Sequence, residues 1–128
     1  MQFHLRFSVQ NADTGGLAGR FTATGAIAAS GSVEEEYALS PPRLRGQQPV
    51  ETATAASKLH TAKGVLSISY SGIVSSASPA MTVTEGTWSL TAATGAFKGL
   101  RGRGRLTAIV DLRRRTMVKR YDGLITGR

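Results

Sequence analysis

Between Gly86 and Leu106 the chain reads as strand, tight glycine corner, strand. Trp88 and Leu90 share one face of a period-2 segment, and Thr87, Ser89 and Thr91 share the other. Thr94-Gly95 supplies a turn, because Gly95 can take positive φ without a Cβ clash. After Gly99 the alternation resumes. Gly102, Gly104, Leu106, Ala108 and Val110 lie on one face, and Arg101, Arg103, Arg105 and Thr107 on the other. Inward glycines weaken a strand, but they allow a sharp bend or leave space, as at barrel corners. The stretch therefore points to a small β-barrel with room inside.

The rest of the chain repeats this period. Phe3, Leu5, Phe7 and Val9 alternate with His4, Arg6 and Ser8, and Asn11 to Gly16 form a turn cluster. Phe21, Ala23, Gly25, Ile27 and Ala29 make a second strand, and Ser30-Gly31-Ser32 marks a bulge or hairpin. Val33, Glu35, Tyr37 and Leu39 form one side of a third. From residue 40 to 57 the pattern fails, with Pro41-Pro42 and a polar run around Pro49, which predicts a mobile loop or a ligand-covering lid. Leu66, Ile68, Tyr70, Gly72 and Val74 then face one way, with Gly64 dividing this region, and Ser75 to Pro79 reads as a loop. Strands follow over 82–91, 102–111 and 116–125, the last two joined by the charged turn Arg113-Arg114-Arg115. No window has a helical period. The expectation is an all-β single domain over 1–128, an antiparallel barrel of about eight strands.

Composition narrows the chemistry. With no cysteine there is no disulfide framework and no thiolate chemistry. No apolar run is long enough for a signal peptide or a membrane span, so the reading is a soluble, cytoplasmic protein with no membrane partner. The formal charge of +8 is uneven. Up to Phe97 six basic residues balance six acidic ones, and from Lys98 onward ten basic residues face only Asp111 and Asp122. That describes a basic face.

Several familiar motifs are excluded. His4 and His60 lack a carboxylate at ligand spacing, so no metal site is expected. The glycine run Gly99 to Gly104 leads into a strand rather than the helix N-terminus a phosphate loop requires. No Gly-x-Ser-x-Gly elbow is present. The candidate catalytic residue is Glu35, which shares a face with Val33 and Tyr37. Turned into an apolar lumen it would be a general acid or base; otherwise it belongs to a solvated Glu34-Glu35-Glu36 edge. Glu85 is a second carboxylate, brought inside only by a bulge. Tyr37, Tyr70, Trp88, Phe97 and Tyr121 either line a ligand pocket or pack as core. Arg101, Arg103 and Arg105 project from one strand face, and Arg113, Arg114, Arg115, Lys119 and Arg120 surround the next turn. Nucleic acid is disfavoured as a partner, because no exposed aromatics accompany this charge.

The run Gly86-Thr87-Trp88, Ala93 to Phe97 and Leu100 to Gly104 resembles the signature of allene oxide cyclase-like and dirigent-like barrels, with Gly19 to Gly25 and Tyr121-Asp122-Gly123 similar to pieces of related small barrels. The resemblance implies a calycin-like, eight-stranded antiparallel barrel with an apolar cavity, no cofactor and assembly as a homo-oligomer, a dimer or trimer. Some members are cyclases, but their catalytic positions do not map onto this chain. Three functional expectations follow. The first is binding of a small apolar molecule in the lumen, suggested by inward Gly25, Gly72, Gly102 and Gly104 beside the aromatic set. The second is a cyclase or isomerase acting in the same cavity through Glu35 or a tyrosine. The third is binding of nucleic acid or an acidic partner by the C-terminal basic face.

Overall fold

The computed structural model describes residues 2–10, 16–25, 27–114 and 116–127, with side chains from residue 19 onward. Among the described residues nine strands follow one another: β1 Gln2–Gln10, β2 Gly16–Gly25, β3 Ala29–Leu39, β4 Arg43–Arg45, β5 Gln48–Thr61, β6 Gly64–Ser78, β7 Met81–Ala93, β8 Leu100–Asp111 and β9 Thr116–Gly127. Every pairing is antiparallel. β9 returns to β1, from Gln2 opposite Leu124 to Gln10 opposite Thr116. β3 pairs with β5, from Ser32 opposite His60 to Leu39 opposite Ala53. The hydrogen-bonded ring is thus β1-β2-β3-β5-β6-β7-β8-β9, an eight-stranded barrel with β4 as a short flap on β5. Closure removes the open edges on which an argument for association could rest. No helix among the described residues is long and apolar enough to cross a membrane.

The period-2 pattern sets the interior. Leu66, Ile68 and Tyr70 on β6, Trp88 on β7, Leu106 and Ala108 on β8, and Tyr121 and Ile125 on β9 are all buried. One end is packed solid. There the corner after β7 contains a 3-10 turn, Gly95–Phe97, and docks on the β5–β6 turn. The Thr94 N–H donates to the Val65 carbonyl and the Ala96 N–H to the Lys63 carbonyl, each at 2.9 Å. Gly95 has φ of 62°, as the turn chemistry requires, and Phe97 is buried with Leu59 and Leu66.

At this level the inward glycines do not leave a void. A Cβ on Gly123 would lie 2.8 Å from Trp88 Cζ2, and one on Gly102 would lie 2.4 Å from Ile125 Cδ1 and 3.4 Å from Trp88 Cη2. The indole and the isoleucine occupy the space that the glycines vacate. Gly25 does not join them: it ends β2 with φ of 86° and is exposed.

Three local expectations are corrected. Residues 40–57 are not one loop, since they contain β4 and most of β5. β5 escapes notice because its inward residues Ala53, Ala55 and Ser57 are scarcely more apolar than the outward Thr54 and Ala56, so alternation exists without hydropathy contrast. Pro49 sits where only the three-residue β4 pairs with it. Ser30-Gly31-Ser32 is inside β3, not a hairpin: a Cβ on Gly31 would lie 1.9 Å from the His60 carbonyl oxygen, so glycine there permits close approach to β5. Ser75 to Ser78 extend β6, and only residues 79–80 turn. Of the Asn11 to Gly16 turn cluster, residues 11–15 lie outside the described residues.

Candidate functional site

Halfway along the barrel four polar side chains from four strands meet inside it. Glu35 on β3 follows Val33 onto the inward face and is 3% exposed. Its register partner on β5 is Ser57, whose hydroxyl donates to Glu35 Oε1 at 2.7 Å. Tyr70 on β6 donates its hydroxyl to Glu35 Oε2 at 3.3 Å. Lys119 on β9 is ion-paired with Glu35 Oε2 and donates a second hydrogen bond to the Tyr70 hydroxyl at 2.6 Å. The ammonium also lies 4.4 Å from the centroid of the Tyr70 ring, within cation–π range. Lys119 is 1% exposed.

Charge patterning places Lys119 with the basic surface around the 113–115 turn, and the structure overturns that placement. Met117, Lys119, Tyr121, Gly123 and Ile125 alternate, so Lys119 has inward parity; charge alone suggests the surface, and period decides against it. Ser57 lies in β5, a segment whose sequence reads as loop, so nothing in the sequence points to it. Glu85, the other carboxylate considered, is exposed on the outer face, and β7 has no bulge there to turn it inward.

The aromatic residues do not form a single lining. Tyr70 and Tyr121 meet edge to face with ring centroids 6.3 Å apart, and Trp88 and Tyr121 with centroids 6.2 Å apart. The Trp88 Nε1–H donates to the Asp122 carbonyl at 3.2 Å. Tyr37 is half-buried near the opposite end and packs against the core, and Phe97 belongs to the apolar plug. Beyond the polar cluster, away from that plug, the small residues Ala53, Gly72, Thr84 and Ala108 face inward beside the larger Tyr37 and Met117. In register Lys119 stands opposite Ala108, and Ala108 opposite Thr84.

Burial and charge reshape the titration of this cluster. Desolvation pulls the Lys119 ammonium down from 10.5 to about 8, and the neighbouring Glu35 charge and hydrogen bond only partly offset it. Burial, then the Glu35 charge and hydrogen bond, push the Tyr70 phenol well above its ordinary value. Tyr121 is raised as well, by burial first and then by Glu35 and Tyr70, against an opposing hydrogen bond with Ser57. Lys119 therefore carries its charge at pH 7 but gives up its proton far more readily than a solvated lysine. Lys119, Tyr70 and Glu35 form a continuous hydrogen-bonded network.

A stability profile follows. From pH 8 to 10.5 the unfolded chain holds a Lys119 proton that the folded chain has lost, so stability rises with pH. Above pH 10 the unfolded tyrosines release protons that Tyr70 and Tyr121 retain, so stability falls. Urea denaturation across this range is expected to show a maximum near pH 10, with the rising limb missing in Lys119→Met. A wild-type profile flat or falling from pH 8 to 10 would contradict the burial of an ionisable lysine.

Compared with models of protein families, with curated proteins and with solved structures, the chain finds no match.

Proposed function

We propose that the chain is a cofactor-free barrel that holds one small, mostly apolar molecule inside, with a polar atom of that molecule set against Lys119 and Tyr70. The observation that carries this reading is the buried Glu35–Ser57–Tyr70–Lys119 cluster. Burying an ion pair is at best neutral for stability compared with well-packed apolar residues, so its place in a small core favours a role beyond packing. Two features support it. An eight-stranded barrel is about the size that either fills with its own side chains or holds one small ligand. Here one end is filled by Leu59, Leu66, Trp88 and Phe97, and beyond the cluster Ala53, Gly72, Thr84 and Ala108 present a small-residue surface beside Tyr37 and Met117. A carbonyl or hydroxyl oxygen would accept from Lys119 or Tyr70, and the alanine and glycine surface would take the apolar remainder. The resemblance of the 86–104 stretch to cyclase and dirigent-like barrels agrees with this.

A second reading, catalysis in the same place, is favoured by Lys119 at about 8. A group that gains and loses a proton near neutrality is suited to general acid–base work, and an isomerisation or cyclisation needs little else besides a fixed substrate conformation.

The test is native mass spectrometry of the protein purified from its own host, followed by denaturation and identification of any released compound. The expected result is one molecule per chain, lost in Lys119→Met. The same spectrum counts chains per assembly, for which a dimer or trimer is the expectation. A compound retained equally by Lys119→Met, or none bound even after incubation with an extract of host small molecules, would overturn the reading. Turnover of the identified compound, abolished in Glu35→Gln, would establish the catalytic version.

A further inference from the structure

The outer wall of β6 to β9 carries a second site. An open groove of about 890 Å³ crosses these four strands. Two adjacent cross-strand rows build its walls. One runs Ser69, Ser89, Arg103, Leu124 and the other Ser71, Thr87, Arg105, Asp122, each residue opposite the next in register. Gly104 and Gly123 lie between the rows as register partners, so part of the floor is bare backbone.

The chemistry of the walls is mixed in an informative way. Arg101, Arg103 and Arg105 are exposed, and among the described residues none of them lies within ion-pair distance of a carboxylate. Alternate residues of a strand stand roughly 6.6–6.8 Å apart, so the three guanidinium groups form a ladder along β8. The β6–β7 end of both rows is a strip of hydroxyls, with Ser69 and Ser89 Oγ atoms 3.3 Å apart. Asp122 puts a carboxylate beside the arginines, and Leu124, 56% exposed, adds an apolar rim.

Each feature selects against one kind of anion. A single-stranded nucleic acid gains much of its affinity from bases stacked on exposed aromatics, but the aromatics under this groove, Tyr70 and Trp88, are 8% and 2% exposed. An acidic peptide gains nothing from a facing carboxylate. A sugar chain bearing sulfate or carboxylate groups uses every element. Its anionic groups meet the arginines, its hydroxyls donate to Asp122 and exchange hydrogen bonds with the serines and Thr87, and its C–H faces rest on the glycine floor and Leu124. We propose that this groove binds a short anionic oligosaccharide. The volume lies within the range of small-ligand clefts.

The experiment is titration of the whole protein with a heparin-derived hexasaccharide at two salt concentrations, beside maltohexaose and a dT12 oligonucleotide. Trp88, the single tryptophan, lies beneath the groove and serves as an intrinsic fluorescence probe. The hexasaccharide is expected to bind in a salt-dependent manner and at least tenfold more tightly than either comparator. Arg103→Ala/Arg105→Ala is expected to weaken it at least tenfold, and Arg113→Ala/Arg114→Ala, outside the groove, less than threefold. Asp122→Asn separates sugar recognition from bare charge: it is expected to weaken the hexasaccharide while strengthening dT12. Unchanged melting temperatures of the surface variants certify their fold. Absence of hexasaccharide binding, insensitivity to the Arg103/Arg105 change, dT12 binding as tight as the sugar, or Asp122→Asn strengthening both ligands alike would overturn the proposal.

Discussion

Lys119→Met is expected to lower the stability of the barrel by about 3–5 kcal/mol, the usual result of removing one partner of a buried ion pair. For a chain of 128 residues that corresponds to a fall in melting temperature on the order of 10–20 °C. The cause is less the lost attraction than what remains. The Glu35 carboxylate, 3% exposed, keeps hydrogen bonds from Ser57 and Tyr70 but has no cation to balance it in a low-dielectric interior. Glu35→Gln is expected to be milder, because Lys119 can discard its charge by releasing a proton, and its deficit should shrink between pH 7 and 9. Combining Glu35→Gln with Lys119→Met removes both charges while an amide oxygen still accepts from Ser57 or Tyr70. The double variant is therefore expected to be more stable than Lys119→Met alone, with a coupling of roughly 0.5–3 kcal/mol as for residues in one network. Denaturant unfolding of the four proteins measures the cycle. A loss below about 1 kcal/mol for Lys119→Met would place the two charges in water, where such pairs contribute little.

The same residues show what a sequence of this kind reveals and what it conceals. Where inward and outward residues differ in hydropathy, period alone was sufficient. Leu66, Ile68 and Tyr70 alternate with serines, and Gly102 to Val110 alternate with arginines, so β6 and β8 were legible face by face. β5 was illegible for the reason its structure supplies: Ala53, Ala55 and Ser57 face inward with almost no contrast to their neighbours. Glu35 was singled out because a carboxylate shared a face with Val33 and Tyr37. Its partner is concealed because the charge of Lys119 groups it with its arginine neighbours, whereas its parity is that of Met117 and Tyr121. Charge is a sum over a region, whereas facing is a property of one position. The contact between Glu35 and Lys119 spans 84 residues of sequence and depends on the ring closing, which no local pattern encodes. The glycines misled in the opposite sense. Gly102 and Gly123 announce space that Trp88 and Ile125 fill.

That filling makes Trp88 the second residue on which the barrel most depends. Trp88→Ala is expected to cost about 3–5 kcal/mol, the range for truncating a buried large aromatic. The side chain is 2% exposed. It touches the position a Cβ would occupy at Gly102 and Gly123, packs edge to face on Tyr121, and donates its indole N–H to the Asp122 carbonyl. Its loss leaves a cavity whose walls cannot collapse easily. Gly102 and Gly123 offer no side chain to relax into the gap, Tyr121 is held between Trp88 and Tyr70, and only Ile125 can shift toward it. Trp88→Phe restores part of the volume without the N–H, so a smaller loss is expected, on the order of 1–3 kcal/mol from residual cavity and the lost indole hydrogen bond. Urea unfolding followed by far-UV circular dichroism is the suitable measurement, since the alanine variant has no tryptophan to report by fluorescence. The ordering is the decisive outcome. If Trp88→Phe is as damaging as Trp88→Ala, the indole hydrogen bond dominates. If both cost under about 1 kcal/mol, the indole is not buried in the way described, and the glycines of β8 and β9 would indeed border open space.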